Sequence, residues 1–308
     1  MRVTEGMMNY NYLSDLNKVM ERRANAQSLL SGDGKALRKP SDDPVKVVRS
    51  LRFNISLELN EQYTQNVKDA QSWMRNTDGY MQQLSTILIH IRTKVIDASD
   101  ISNSPTSMQA IGVEVDNMIN EIVRNIGNAK IGDRYLFAGQ MDKTEPFSRE
   151  GDVITYHGDN EKISMPIAPG LANPNLDSVN LTGMDLFGLD QESGGLKILN
   201  DLIEIKNRIM SGTPADMAWL SDVGLNKLED AHNHVLRGHT YLGARMTVYE
   251  MSETMLIESN AIIWEDRSHN EDANIAKAML EFSTADTVYN ASLLMGSKVL
   301  PQSLVNFL

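Results

Sequence analysis

From Pro44 to about Ser99 the chain has no proline and a single glycine, Gly79, while Ala70, Trp73, Thr77, Tyr80, Leu84, Leu88, Ile91, Val95 and Ala98 follow steps of three and four. That spacing keeps one apolar edge along an α-helix and is the pattern of a coiled-coil seam. At about 1.5 Å per residue such a helix is roughly 80 Å long, which predicts a rod. Its start is marked by Pro40, Ser41, Asp42, Asp43 and Pro44. The Asp43 carboxylate suits the free N–H groups of a first turn, and Pro44 suits the first helical position, where no hydrogen bond is required of it.

Both ends of the chain carry a similar stripe. Val3, Met7, Tyr10, Leu13, Leu16, Met20, Ala24 and Gln27 recur at helical spacing, as do Ile275, Met279, Phe282, Asp286, Tyr289, Leu293, Gly296, Leu300, Leu304 and Phe307. Asp286 is the one charged residue in the second stripe. An amphipathic helix owes most of its stability to what its apolar face packs against. The two stripes therefore need each other, as an antiparallel pair within one molecule, or a partner molecule.

A second helix is expected to open with Ser104 as cap and Pro105 in its first turn, and to run through Ile111, Val115, Met118, Ile122 and Ala129. A third long segment, about 216–265, carries Leu220, Val223, Leu228, Ala231, Val235, Leu242, Val248, Met251, Met255, Ile262 and Ile263, with Gly224, Gly238 and Gly243 as places where it could break. Residues 139–212 differ in character, with prolines at 146, 166, 169 and 174 and many glycines. Ile154–Tyr156, Lys162–Ile167 and Val179–Leu181 read there as short strands. The expected fold is mainly α, a long coiled-coil-like helical rod formed by the N- and C-terminal segments, with a small β-rich domain inserted in the middle. Its parts are a terminal helical domain (1–40 and 268–308), a rod (41–138 and 213–267) and the β-rich insertion (139–212).

A formal net charge of −12 argues against nucleic acid or an anionic membrane as main partner. The chain has no cysteine, which removes disulfides, thiol nucleophiles and thiolate metal sites. No positive region leads into an apolar segment in the first thirty residues, so export by a cleaved signal peptide is not expected. His232, His234 and His239, or Glu265, Asp266, His269 and Asp272, could gather a metal in principle. Positions 232 and 234 diverge on a helix, however, and no His-Glu-x-x-His occurs, so these read as solvated helix surface. Capping accounts for Asp42 and Asp43 without acid–base chemistry. No catalytic, cofactor or metal residues are expected.

The sequence resembles the bacterial flagellin superfamily, and within it the hook-associated proteins of the hook–filament junction. The resemblance is carried by Met1–Thr4, by Gln27, Leu30 and Ser31, by Gly34-Lys35, and by Pro40-Ser41-Asp42-Asp43-Pro44. It continues in Asp133-Arg134-Tyr135-Leu136-Phe137-Ala138-Gly139, Leu242–Arg245 and Glu271–Ala276. Gly32 and Asp33 depart from the serine pair usual before the Gly-Lys, and Asp133 stands where glycine is common.

The resemblance implies a structural subunit that performs no reaction. It would join hook to filament as a ring of subunits, between another hook-associated protein and flagellin. It further implies export through the flagellar type III apparatus, a cytoplasmic chaperone on the C-terminal helix, and an extracellular site at the hook–filament junction. The stripes, with Met7, Tyr10, Leu13 and Met20 against Met279, Phe282, Tyr289, Leu293 and Leu300, would form the assembly interface. A filament flagellin and a cytoplasmic coiled-coil adaptor are the alternatives; the first is expected to lack the 134–139 segment and the second to have ordered termini and no export.

Overall fold

The computed structural model describes residues 5–31, 34–37, 39–41, 43–100, 102–168, 178–189 and 195–299. Val3, Asp42, Leu300, Leu304 and Phe307 lie outside them. The fold is mainly helical: α1 (Glu5–Ser31), α2 (Pro44–Ala98), α3 (Pro105–Glu121), α4 (Gly183–Phe187), α5 (Lys197–Ser211), α6 (Pro214–Trp219), α7 (Leu225–Glu271) and α8 (Ile275–Val299). Four short strands lie between α3 and α4: β1 (Lys130–Ile131), β2 (Arg134–Tyr135), β3 (Phe147–Glu150) and β4 (Val153–Tyr156). The chain divides into two compact units, one of residues Met1–Leu59 with Ser259–Leu308 and one of Asn60–Glu258.

In the Asn60–Glu258 unit, α2 buries Val67, Ala70, Met74, Thr77, Met81, Leu84, Leu88, Ile91, Val95 and Ala98. These follow the three-four alternation the sequence announced, with Met74 and Met81 taking the places next to Trp73 and Tyr80. Helix α3 starts as expected: the Ser104 side chain accepts from Ser107 N, and Pro105 is the first residue. It then widens into a π-helical turn, Ile122–Gly127, that turns Ile122, Val123 and Ile126 into the core. Each large side chain fully buried this way contributes about 1.5–3 kcal/mol. The third segment also holds together. A second π turn, Leu220–Gly224, joins α6 to α7, and Gly238 and Gly243 sit inside an unbroken α7.

The middle of the chain departs from expectation in detail. Ile154–Tyr156 is indeed strand, pairing with β3 in the register Phe147↔Tyr156 to Glu150↔Val153. By contrast, Lys162–Ile167 and Val179–Leu181 form no ladder among the described residues; they are joined by the isolated bridge Ser164↔Ser178, by the Val179 N–H to Ile163 carbonyl bond and by the Asn180 side chain. Pro166 has no N–H to give a ladder, and the Ile163 N–H is taken by the Asn180 side chain at 2.8 Å. The insertion also contains a helix that the proline and glycine content obscures. After Gly195 no breaker occurs before Gly212, and Ile198, Leu202, Ile205 and Ile209 step by four, three and four to make the buried face of α5. Gly212, at φ +60°, closes it, its N–H bonded to the Arg208 carbonyl.

In the other unit α1 and α8 form an antiparallel pair. The Tyr12 hydroxyl donates to the Ser292 carbonyl at 2.8 Å, and Arg23 pairs with Asp286 at 2.9 Å while lying over the Tyr289 ring. Asp286, the charged residue in an apolar stripe, is thus the partner of a cation on the opposite helix.

Candidate assembly interface

The terminal helices meet along a seam of small and aromatic residues. On α1 the positions withdrawn from solvent include Tyr12, Leu16, Val19, Arg23 and Ala26; on α8 they include Ala278, Phe282, Ala285, Asp286, Tyr289, Ser292 and Gly296. A Cβ on Gly296 would lie 2.0 Å from the Tyr12 hydroxyl oxygen and 2.6 Å from its ring, so the glycine admits the tyrosine. Of the stripe residues named from sequence, Leu16, Phe282, Asp286, Tyr289 and Gly296 belong to this seam. Met7, Tyr10, Leu13, Met20, Ile275, Met279 and Leu293 stand outside it and are exposed. The pattern includes Phe282, Tyr289 and Gly296 but passes over Ala26, Ala278 and Ala285, whose small side chains let the helices approach while Met279 and Leu293 stay on the flanks. Leu280, Val288, Leu294 and Met295 are exposed as well, so α8 is apolar on faces its partner helix never reaches.

On one flank the pair leaves a groove of about 410 Å³ lined chiefly by Val19, Ala26, Leu29, Leu280, Ala285 and Val288. Gly296→Ala is expected to displace Tyr12 and weaken the helix pair by more than Tyr12→Phe, which loses one hydrogen bond worth about 1 kcal/mol. Hydrogen exchange of α1 amides in the two variants measures the difference, and equal protection would refute it.

The helix-start turn is placed as the residues suggested. Asp43 Oδ1 accepts from the N–H groups of Val45 and Lys46, each at 3.1 Å, and Pro44 opens α2. Pro40 and Ser41 form an exposed turn ahead of it. Beside it lies a polar cluster that sequence reading missed. Segment Gly34–Leu37 docks on the end of α7: Ala36 N and Leu37 N donate to the Glu271 carbonyl, and Ala273 N donates to the Gly34 carbonyl. The Glu271 side chain, 8% exposed, accepts from Ser50, from Lys35 Nζ at 2.9 Å and from Arg267 Nε at 3.0 Å. Burial alone would push this carboxyl up, but the three donors outweigh it and hold its pKa at about 2. Asn270 adds a bond to the Lys46 carbonyl at 2.9 Å. The available signals were Gly34, which takes φ +71°, and the Arg267/Glu271 pair four residues apart.

The segment 134–139 is a keystone of the Asn60–Glu258 unit. Arg134 lies over the Trp73 ring, 5.2 Å from its centre, and pairs with Asp142. Tyr135 is nearly buried, and Leu136, Phe137 and Ala138 are fully so. The Phe137 carbonyl accepts from Gly183 N at 2.9 Å and lies 2.8 Å from the Tyr156 hydroxyl. Burial pushes the Tyr156 hydroxyl up to about 12, so it stays a donor. Gly139, at φ +74°, lets the backbone of Asp159 approach.

The histidines are dispersed. His234 Nε2 is 2.8 Å from the Asp185 carbonyl oxygen and His239 Nε2 is 2.6 Å from Asp78 Oδ1. Glu265 and His269 form an exposed pair, and Asp272 receives Ser268. Among the described residues no three His, Asp or Glu are grouped to hold a metal ion, and no helix is long and apolar enough to cross a membrane.

A mainly helical fold with paired termini and a small β-rich insertion is the class these features define. A family model for the bacterial flagellin N-terminal helical region matches residues 3–142. The chain is 21% identical to a flagellin of Bacillus subtilis over 305 residues, covering 96% of this chain and 97% of that one. It is 26% identical to flagellar hook-associated protein 3 of Escherichia coli over 118 residues, 38% of this chain and 37% of that protein. Among solved structures, flagellar hook-associated protein 3 of Legionella pneumophila superposes with a TM-score of 0.60 at 15% identity, covering 70% of this chain and 96% of that one. The chain is thus similar to flagellins and to hook-associated proteins, and its fold is that of the solved hook-associated protein.

Proposed function

We propose that this chain is the subunit that joins hook to filament, assembled outside the cell as a ring between another hook-associated protein and flagellin. The observation that carries the proposal is the apolar surface of the terminal pair. Tyr10 is 74% exposed, Met279 59% and Leu294 71%, on helices whose mutual seam is already filled. A helix apolar on several faces is stable in water only when something covers them. Neighbouring subunits are the covering that a ring supplies, with Met7, Leu13, Met20, Ile275 and Leu293 in the same role and Val3, Leu300, Leu304 and Phe307 extending the stripes in sequence. On this reading 1–40 and 268–308 form the assembling domain, 41–138 and 213–267 a rod, and 139–212 an outer domain. The C-terminal helix is held by an export chaperone before the chain leaves the cell.

Deletion of the gene in its host is expected to leave complete hooks without filaments and flagellin lost to the medium, scored by electron microscopy and immunoblot. Restoring the gene with Met279→Glu or Leu13→Glu is expected to leave thermal stability within about 0.5 kcal/mol, because both positions are surface sites, yet to fail to restore filaments. Normal flagella in the deletion strain would overturn the proposal; a short filament with no flagellin lost would favour a filament subunit.

A further inference from the structure

Helix α7 carries two seams of the same spacing. One, through Leu228, Val235, Leu242, Tyr249 and Leu256, is buried. The other runs Tyr241, Ala244, Val248, Met251 and Met255, in steps of three and four, and faces solvent, with Met251 63% and Met255 67% exposed. Exposed Arg237 and Glu258 continue the same steps at either end. An alternation of three and four sustained on one face is what a second helix packs into, at a shallow crossing angle, and single scattered apolar residues do not produce it.

The same chain presents such a helix face. At the start of α2, Val45, Val48, Ile55 and Leu59 are exposed at the matching spacing, with exposed Arg52 filling the remaining position. Run antiparallel, the two seams match step for step. Arg52 opposite Glu258 puts Ile55 opposite Met255, Leu59 opposite Met251 and Val48 opposite exposed Ile262, with Val45 reaching Glu265 at the end of the overlap, so that the one cation of the α2 seam meets an acid of the α7 seam. Each face is exposed on its own unit. We infer that the outer seam of α7 is a docking surface for the first turns of α2 from a second copy of this chain. Because the two seams are unlike, the contact is head-to-tail and leaves each copy one seam of each kind for the next, so it repeats from copy to copy and makes a ring where the rotation closes. This inference rests on the self-assembly proposed above and adds a contact outside the terminal helices.

The absence of cysteine makes the test direct. Ile55→Cys and Met255→Cys are introduced singly and together at exposed positions, and intact flagella from the complemented host are treated with a short bis-maleimide and probed for this chain. The expected result is a covalent ladder from the double variant, a dimer when the two single variants are co-expressed, and monomer from either alone. A double variant that is present in the flagella, supports filaments and stays monomeric would overturn the seam contact while leaving the junction role in place. Absence of even the wild-type chain from purified flagella would overturn the junction role, and the seam contact with it.

Discussion

Gly139→Ala is expected to destabilise the Asn60–Glu258 unit by about 2–5 kcal/mol, the sum of a left-handed backbone cost of about 1–2 kcal/mol and an overpacking cost of about 1–3 kcal/mol. Gly139 adopts φ +74°, where a side chain is strained whatever space surrounds it. Here there is also no space. A Cβ would lie 1.9 Å from Asp159 Oδ1 and 2.6 Å from the Asp159 carbonyl oxygen. Asp159 cannot move aside freely, because its N–H donates to the Ala138 carbonyl and its Oδ1 accepts from Gln140 N and Glu161 N. At about 2–4 °C per kcal/mol for a unit of this size, the melting temperature should fall by roughly 10 °C. Gly132→Ala separates the two causes: Gly132 also has positive φ, +57°, but nothing lies within 4 Å of its added Cβ. It should show the backbone cost alone, and equal losses in the two variants by calorimetry would refute the steric half of the argument.

Glu271→Gln should release the link between the two ends of the chain. The carboxylate joins Lys35 from the N-terminal link, Ser50 from α2 and Arg267 from α7, and losing its charge leaves two cations short of a partner. Breaking a buried pair on one side costs about 3–5 kcal/mol, and the lower end applies because Lys35 is partly solvated. The sign with pH follows from the depressed pKa. Glu271 titrates near 2 in the folded chain against an ordinary value of 4.5. Its contribution is therefore fully present above about pH 4.5 and is lost as pH falls toward 2. The wild type should lose on the order of 3 kcal/mol through that window beyond what Glu271→Gln loses. Exchange rates at Ala36, Leu37 and Ala273, whose N–H groups the docked segment uses, are the readout. Identical acid profiles for both proteins would remove Glu271 as the cause.

Much of the architecture was legible before any coordinates because it depends on short-range chemistry. Ser104-Pro105 and Asp43-Pro44 start helices for reasons contained within four residues, and the alternation from Ala70 to Ala98 marks a buried edge at any helix pitch near 3.5. The β3–β4 hairpin was half visible, since Ile154–Tyr156 alternates and Gly151 supplies the turn at φ +65°. Lys162–Ile167 and Val179–Leu181 misled because β propensity describes side chains, while the decisive event was the Asn180 amide taking a backbone donor from Ile163.

For the candidate interface, pattern alone determined that the two ends form amphipathic helices, that one long helix follows the Pro-Ser-Asp-Asp-Pro turn, and that the chain resembles the flagellin superfamily. Which apolar residues are inside the terminal pair was settled by tertiary structure. Hydrophobicity ranks Met279 above Ala278 and Leu293 above Gly296, yet helices approach most closely where side chains are smallest, so Ala278 and Gly296 are buried and Met279 and Leu293 are not. The list of apolar positions in α7 likewise merged two seams, one in the core and one in solvent, because period and composition are the same in both. Only the location of the neighbouring elements distinguishes a face that is filled from one that waits for a partner.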